Sequence, residues 1–343
     1  MAARLPAAAR EVREVAARGL DAGALRQAVI APLRRLVGAD AVFVAAADPA
    51  TWLFTGASAD GVPREAAERF MANEFGADDV VKFRDLAAAS GAPVDRLFSA
   101  TRGDPVTSAR WRDVIEPLGW GDELRVALRD RHGTWGFVCL HRDARDAPFS
   151  AAEVQRLAPV IAPLAQAFRR AAIAGAAEPA GGSIGPGVLL VGDDGALVGA
   201  TGAVEPWIHE LGAETLDDLP FAVLSAVARL RGTGQPTSMH VRGRSRWVRL
   251  HAAQLDGVGP ARVAVVLDSP GPAEVLPVFA MTFGLTAREA EVTAAVVRGA
   301  STRKIAGALH VAEDTVQVHL KSVFRKTAVN SRSELVARVI SGG

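Results

Sequence analysis

A stretch rich in glycine, alanine and proline, AGAAEPAGGSIGPG at positions 174–187, divides the sequence near its middle. It has no apolar repeat, and its composition disfavours both helices and strands, so it predicts a linker. A second short break, DSPGPA, occupies positions 268–273. The 343 residues therefore divide into pieces that are each long enough for a domain. We expect domains at 1–173, 188–268 and 281–343, with linkers at 174–187 and 269–280.

The composition is that of a soluble globular chain. Apolar residues make up 49% and charged residues 22%, and no run reaches the roughly 18 apolar residues that a membrane helix needs. The first residues have no apolar segment typical of a secretion signal. The single cysteine, Cys139, cannot form an internal disulfide. We therefore expect a cytoplasmic protein with no membrane partner.

Positive charge is concentrated at the C-terminal end. The whole chain has a net charge of +1, but residues 281–343 carry +4 and the remainder carries −3. Three of the four lysines lie in this last segment. A basic segment on an otherwise slightly acidic protein is typical of proteins that bind a polyanion such as DNA.

The first two pieces alternate between helical and strand patterns. The first begins and ends with helical patterns, at 2–38 and 150–173, around short apolar strands at 41–46, 52–55, 124–128 and 135–141. The second opens with a hairpin around Asp193-Asp194-Gly195, followed by two helical segments and three strands. This order predicts an antiparallel sheet with helices on one face. The expected fold class is a multidomain α+β protein.

The third piece has the period of four short helices. In the third of them Val316, Leu320 and Val323 recur on one side and must face a core. The opposite side then carries Gln317 and Lys321, with Val318 between them. Glutamine and lysine can bond base edges and valine can contact a thymine methyl group. A short helix, a tight turn and an exposed polar helix predict a helix-turn-helix.

Positions 283–340 resemble the LuxR-type (GerE-like) helix-turn-helix domain of bacterial transcription regulators. The resemblance is carried by LTARE at 285–289, KIA at 304–306, HL at 319–320 and FRK at 324–326. It implies base contacts by Gln317, Val318 and Lys321, and a double-stranded DNA operator as partner. It also implies contacts with DNA phosphates by Lys304, Thr315, Arg325 and Lys326. A structural pair of Glu289 and Arg332 is implied as well, which would tie the first helix to the fourth.

The fourth helix of this piece is the expected dimer seam. The resemblance implies dimerisation there, and Val336 and Ile340 would remain apolar beside the inward-facing Leu335 and Val339. We therefore expect a homodimer. The alternative is a small helical bundle that docks another protein.

The first piece resembles a GAF-type sensor domain, through LGWGDEL at 118–124, Trp135-Gly136-Phe137 and Pro148-Phe149-Ser150. The second resembles a PAS-like domain, through its hairpin and the strand that contains Trp247. Both resemblances imply an apolar pocket for a small-molecule effector or a protein partner. Candidate pocket residues are Trp52, Trp111, Trp120 and Trp135, although tryptophans more commonly pack in the core.

Motifs that carry catalysis or bind metals are missing from the sequence. There is no G-x-x-x-x-G-K-[ST], H-E-x-x-H or G-x-S-x-G. Cys139 and His141 share one face of a strand, but no further cysteine or histidine stands at metal-ligand spacing, so we expect no metal. The cofactor stays unassigned. The sequence predicts a DNA-binding regulator that is not an enzyme; the alternatives are upstream domains that bind only proteins, or an enzyme in the GAF-like part.

Overall fold

The computed structural model describes residues 5–63, 66–173, 184–216, 218–257 and 261–341. In the first part, an antiparallel sheet has the strand order β2-β1-β5-β4-β3. The strands are β1 (Ala41–Ala47), β2 (Phe54–Asp60), β3 (Val94–Arg96), β4 (Trp120–Asp130) and β5 (Gly133–Asp143). The expected strands near 124–128 and 135–141 are present but longer, while β3 carried too weak a pattern to be predicted.

The helices of this part cover the two faces of the sheet. They are α1 (Ala7–Ala17), α2 (Ala22–Val37), α3 (Ala66–Gly76), α4 (Phe83–Ala88), α5 (Leu97–Ala100) and α6 (Ala151–Ala171). Every residue of β1 is buried, because α1, α2 and α6 pack on one face of the sheet and α3 and α4 on the other. Helix α6 begins as predicted: Ser150 and Glu153 form a complete capping box.

The second part repeats the same strand order in a separate antiparallel sheet, β7-β6-β10-β9-β8. Its elements are β6 (Gly187–Gly192), β7 (Leu197–Ala200), α7 (Glu205–Glu210), α8 (Phe221–Thr233), β8 (Thr237–Arg242), β9 (Trp247–Gln254) and β10 (Ala261–Asp268). Two strands, two helices and three strands follow in the order that the sequence predicts. The expected linker at 174–187 lies mostly outside the described residues.

The first two parts share one hydrophobic core. Phe54 and Phe70 of the first and Leu230 and Val248 of the second belong to the same buried cluster. Across this boundary the N–H group of Phe54 donates a hydrogen bond of 3.0 Å to Ser225 Oγ. The two parts therefore pack as one unit, although the composition of the linker gives no sign of it.

Helices α3 and α8 cross at two glycines. A Cβ atom added to Gly232 would lie 2.4 Å from the Cα atom of Gly76 and 2.4 Å from the carbonyl oxygen of Phe75. Both of these are backbone atoms, which cannot rotate away. Only glycine allows the two helices to approach so closely.

We predict that Gly232→Ala lowers the free energy of unfolding by about 1–3 kcal/mol, because the helices must separate. Helix propensity alone predicts the opposite, a gain of about 1 kcal/mol. Gly307 is the matched control, because it is also helical and nothing lies within 4 Å of an added Cβ. Chemical denaturation of the full chain measures both; a stabilised Gly232→Ala variant would show that the crossing is not tight.

The third part is a helical bundle with one more helix than expected. It contains α9 (Pro272–Phe283), α10 (Ala287–Val297), α11 (Thr302–Leu309), α12 (Glu313–Thr327) and α13 (Arg332–Ser341). This confirms the predicted α+β class with a helical C-terminal part. The expectation of a linker at 269–280 is wrong for most of its length, because Leu276 and Phe279 of α9 complete the core of the bundle.

Helix α9 also contacts both upstream parts. Val275 and Val278 pack against Trp247 of the second sheet. At its other end Met281 packs on the core of the first part, and Arg169 Nη1 donates to the carbonyl oxygen of Thr282 at 2.6 Å. The helix thus joins all three parts. Among the described helices, none is both long and apolar enough to cross a bilayer.

Candidate nucleic-acid interface

Helices α11 and α12 form a helix-turn-helix. The Ser301 side chain caps the start of α11, and His310 ends it in a left-handed conformation with φ of 53°. Ala312 then occupies the N-cap position of α12 and has no side chain to cap it. The buried side of α12 contains Val316, Leu320 and Val323, as its period predicts, and Thr327 near its end. The opposite side is therefore free to contact a partner.

The three predicted base-reading residues lie together on this opposite side. Gln317, Val318 and Lys321 are all exposed, and Val318 leaves 65% of its surface in solvent. An apolar side chain that is so exposed gains nothing from the fold itself. The Gln317 amide donates a 3.3 Å hydrogen bond to Thr302 Oγ1 at the start of α11, which holds it at the junction of the two helices.

Three of the four predicted phosphate-contacting residues are also exposed, namely Lys304, Thr315 and Arg325. Lys304, Arg325 and Lys321 form no salt bridge with another residue of the described ranges. Their charge is therefore available to an external anion. The surface of α11 and α12 thus combines the hydrogen-bonding amide of Gln317 with cations that have no salt-bridge partner among the described residues.

Lys326 does not fit the predicted phosphate role. Its Nζ atom lies 2.6 Å from Glu289 Oε2 and donates a 3.0 Å hydrogen bond to the carbonyl oxygen of Gly284. The expectation failed because Lys326 follows the exposed Arg325 by one position, and the helix turns its side chain back toward α10. Lys326 is therefore an internal contact.

The predicted pair of Glu289 and Arg332 is wrong for the same reason. Glu289 instead accepts hydrogen bonds from Lys326, from Ser322 Oγ at 2.6 Å and from the N–H group of Thr286 at 2.7 Å. Burial alone would favour the protonated acid, but these hydrogen bonds, led by that of Lys326, lower the pKa of Glu289 to about 2. The ionised carboxylate therefore ties α10 to α12.

Arg332 ties α13 to α11. Its Nη1 atom donates to the carbonyl oxygen of Ala300 at 2.8 Å and its Nη2 atom donates to Thr302 Oγ1 at 3.1 Å. Thr302 Oγ1 also accepts the bond from Gln317. One hydroxyl oxygen thus links the predicted dimer helix to the predicted base-reading helix.

The predicted dimer seam lies on α13. Leu335 and Val339 are fully buried, while Val336 is half-buried and Ile340 is 54% exposed. A shallow surface concavity beside them is lined by Val296, Gly299 and Arg332. The two apolar side chains lie on a continuous surface, as the amphipathic pattern predicts. A second chain on this surface remains a prediction.

The four tryptophans predicted for a pocket do not meet in one place. Trp120 lines a large cavity between the two upstream parts, and Trp111 packs behind it. Trp52 packs on the shared core. Trp135 belongs to the core on the other side of the sheet, where its indole N–H group donates to Asp130 Oδ1 at 3.1 Å. Of the four, Trp120 therefore lines this cavity, whereas Trp135 lies on the opposite face of the sheet.

A buried ion network, which the sequence analysis missed, lies on the cavity side of the first sheet. Glu123 Oε2 is 2.7 Å from Arg110 Nη2 and 3.0 Å from Arg125 Nε, and Arg125 Nη1 is 2.6 Å from Glu74 Oε2. Burial favours the protonated acid, but the two arginines hold the pKa of Glu123 well below its ordinary value. Glu74 and Arg110 are far from Glu123 and Arg125 in the sequence, so only the fold brings the four together.

Glu123, Cys139 and His141 have donor atoms within 4.8 Å of one another and all are buried. Burial and the nearby carboxylate of Glu123 raise the pKa of the Cys139 thiol well above its ordinary value. The carboxylate of Glu123 is already bound by Arg110 and Arg125, whose charges repel a cation. The donor set is therefore unfavourable for a metal ion.

Residues 284–339 match the family model described as bacterial regulatory proteins, luxR family. This segment is a LuxR-type DNA-binding domain. Residues 21–168 match the model of the GAF domain. The two matches confirm the resemblances of the first and third parts and leave residues 188–268 outside both ranges. In the LuxR-type domain, the two helices of the helix-turn-helix are α11 and α12.

The LuxR-type domain is similar to part of a monoamine regulon transcriptional regulator from Klebsiella aerogenes, with 46% identity over 54 residues. This match covers 16% of the chain and about a quarter (24%) of that regulator.

Two solved structures are more distant. One is the VqmA–ligand–DNA complex of Vibrio cholera, at 17% identity, covering 45% of this chain and 80% of that one, with a TM-score of 0.22. The other is SdiA in complex with octanoyl-rac-glycerol, at 12% identity, covering 99% and 89%, with a TM-score of 0.32. The domain assignments therefore rest on the family models.

Proposed function

We propose that the chain is a transcription regulator that binds a specific DNA operator as a homodimer. The observation that carries the proposal is the surface of α12. There Gln317, Val318 and Lys321 are exposed together on the second helix of a LuxR-type domain. Lys304 and Arg325 flank them as free cations. A cytoplasmic location follows from the operator as partner.

The upstream parts are proposed to control this binding in response to a small molecule. The GAF domain and the PAS-like domain at 188–268 share one core, and the same strand order in both sheets supports the PAS-like assignment. Helix α9 contacts both of them and enters the core of the LuxR-type domain. A change in their packing would therefore alter the position of the DNA-binding domain and shift its population of binding-competent states.

An enzymatic role has little support in the structure. The single cysteine is fully buried and its thiol pKa is raised, which opposes a nucleophilic thiolate. The Glu123 carboxylate is neutralised by two arginines, which makes it a poor base. We therefore propose that the chain acts by binding alone.

Replacing Lys321 or Gln317 with alanine should weaken operator binding by about 1–3 kcal/mol and hardly change binding to random DNA. The reason is that these side chains would contact base edges. Fluorescence anisotropy with labelled duplexes at fixed salt measures both affinities. Arg298→Ala is the matched control, since Arg298 is exposed at the end of α10. Equal losses on the two DNAs would mean that Lys321 and Gln317 contact only phosphate.

A further inference from the structure

A large cavity lies between the GAF domain and the PAS-like domain, beside the core that they share. Its volume is about 1010 Å³, at the upper end of the range of small-molecule sites. Phe43 and Phe70 line it from the GAF side, and Phe221 and Leu224 line it from α8. An occupant would therefore contact both domains at once.

His141 is the buried polar group on the GAF wall of this cavity. It is 2% exposed, and its ring is stacked on that of Trp120 with centroids 4.0 Å apart and planes 17° apart. Both rings line the cavity. The Nδ1 atom of His141 is buried and has no hydrogen-bond partner among the described residues. An unpaired buried nitrogen costs stability unless a ligand or water bonds it.

The neighbours of His141 determine which kind of partner Nδ1 needs. The Cys139 thiol donates its proton to Glu123 Oε1 at 3.1 Å, because the ionised carboxylate can only accept. The sulfur can then only accept from His141 Nε2, which lies 3.4 Å away. Burial, with the charges of Arg125 and Arg110, lowers the pKa of His141 to about 4, so the ring is neutral. Its one proton is then on Nε2, and Nδ1 is an acceptor that requires a donor.

Arg26 supplies a cation at another part of the same cavity. Its Nε atom is buried without a partner in the described ranges, and burial lowers its pKa to about 10 although Asp21 opposes this. The guanidinium lies against Gly56, where an added Cβ would be 3.0 Å from Nη1. An acidic group on a ligand would compensate the desolvated charge.

The strand register separates these two polar groups. Gly56 pairs with Ala46 of β1 and His141 pairs with Ala41 of the same strand. Five residues along a strand span about 17 Å, and positions an odd number apart face opposite sides of the sheet. His141 therefore shares the face of Phe43, whereas Gly56 and the guanidinium of Arg26 lie on the other face, at the edge strand β2. A molecule that reaches both groups must therefore be long, with an apolar body that lies along Phe43 and an end that passes the edge of β2.

We propose that this cavity binds an elongated amphiphilic molecule, with a hydroxyl or N–H group that donates to His141 Nδ1 and an acidic group beside Arg26. The assignment deepens the proposed sensing role and rests on it for its biological meaning. It gives the effector a chemical class and places it where it bridges the two domains.

The test uses two probes that differ by one hydroxyl group, 12-hydroxydodecanoate and dodecanoate, both below the concentration at which they form micelles. Titration calorimetry on the full chain without DNA measures their affinities. The hydroxylated acid should bind about tenfold more tightly, because only it can donate to Nδ1. In His141→Phe, which keeps the ring stacked on Trp120, this difference should disappear.

Two further variants complete the test. Arg26→Met should weaken the binding of both acids about equally. Arg35→Met, on the same helix but outside the cavity lining, should leave both affinities unchanged. Ala57 lines the cavity from β2 and is not part of the ion network. Ala57→Trp should fill the cavity and abolish binding, which tests the site even if His141→Phe fails to fold.

The proposal is overturned if the parent binds neither probe, binds both equally, or if Ala57→Trp binds like the parent. Operator binding is measured separately. Probes that bind as predicted but leave operator affinity unchanged would support the site and reject the sensing role.

Discussion

Lys326→Met should lower the stability of the LuxR-type domain by about 2–3 kcal/mol, because it leaves the carboxylate of Glu289 buried without its cation. Glu289 is 6% exposed at the side chain and Lys326 is 27% exposed, so solvent screens the pair only weakly. No tryptophan lies after Trp247, so α10–α13 contain no tryptophan whose fluorescence would report the loss directly. Hydrogen exchange on α10 and α12 in the full chain measures the loss.

The same pair makes the domain sensitive to acid. The pKa of Glu289 is about 2 in the fold, below the ordinary value of roughly 4.3 for glutamate. The ionised carboxylate of Glu289 therefore stabilises the domain fully above the ordinary pKa, and this stabilisation is lost as the pH falls toward 2. This part of the pH dependence should largely disappear in Lys326→Met.

A double-mutant cycle separates this pair from the one predicted by resemblance. Glu289→Gln combined with Lys326→Met should cost clearly less than the sum of the single changes. Arg332→Met, which breaks hydrogen bonds to Ala300 and Thr302, should be additive with Glu289→Gln. The observed arrangement would be contradicted if the stability loss of Glu289→Gln were additive with that of Lys326→Met but coupled to that of Arg332→Met.

Val336→Glu should weaken operator binding by about 10²–10⁴-fold, because two half-sites bound by one dimer gain this much over a single one. The charge would lie on the exposed seam of α13, beside Ile340, while Leu335 and Val339 keep the fold. Analytical ultracentrifugation and anisotropy on the same samples measure the dimer and the affinity.

The matched control for this change is Val198→Glu, which places a charge on another exposed valine, in β7. It should leave the association state and DNA affinity unchanged. A Val336→Glu variant that remains dimeric and binds like the parent would remove α13 from the dimer interface.

The sequence predicts the helix-turn-helix well because its signals are local. The buried face of α12 follows from the spacing of Val316, Leu320 and Val323, and the capping box of Thr286 and Glu289 is likewise formed by residues three positions apart. The prediction that fails is the partner of Glu289. A carboxylate in a helical bundle can reach several cations, and the pitch of α12 places Lys326 beside it instead of the Arg332 that the resemblance implies.

Long-range features of the upstream parts were beyond sequence reasoning. The succession of strands and helices along the chain follows from local pattern, but Arg110 meets Glu123 and Arg125 only after the sheet has formed. The contact of Gly76 with Gly232 and the continuous core across the two parts likewise depend on tertiary packing. Helix α9 was missed because Pro272 and Pro277 are typical of a linker, although Pro272 stands at the first turn, where proline is tolerated.

The most direct test of the account is selection of DNA from a random duplex library by the full chain, in parallel with Lys321→Ala. The parent should enrich one motif with two-fold symmetry, with half-sites about 10 base pairs apart from centre to centre. Lys321→Ala should lose the preference at one position of each half-site. A parent that enriches no sequence, or a variant that enriches the same motif unchanged, would contradict specific base reading by α12.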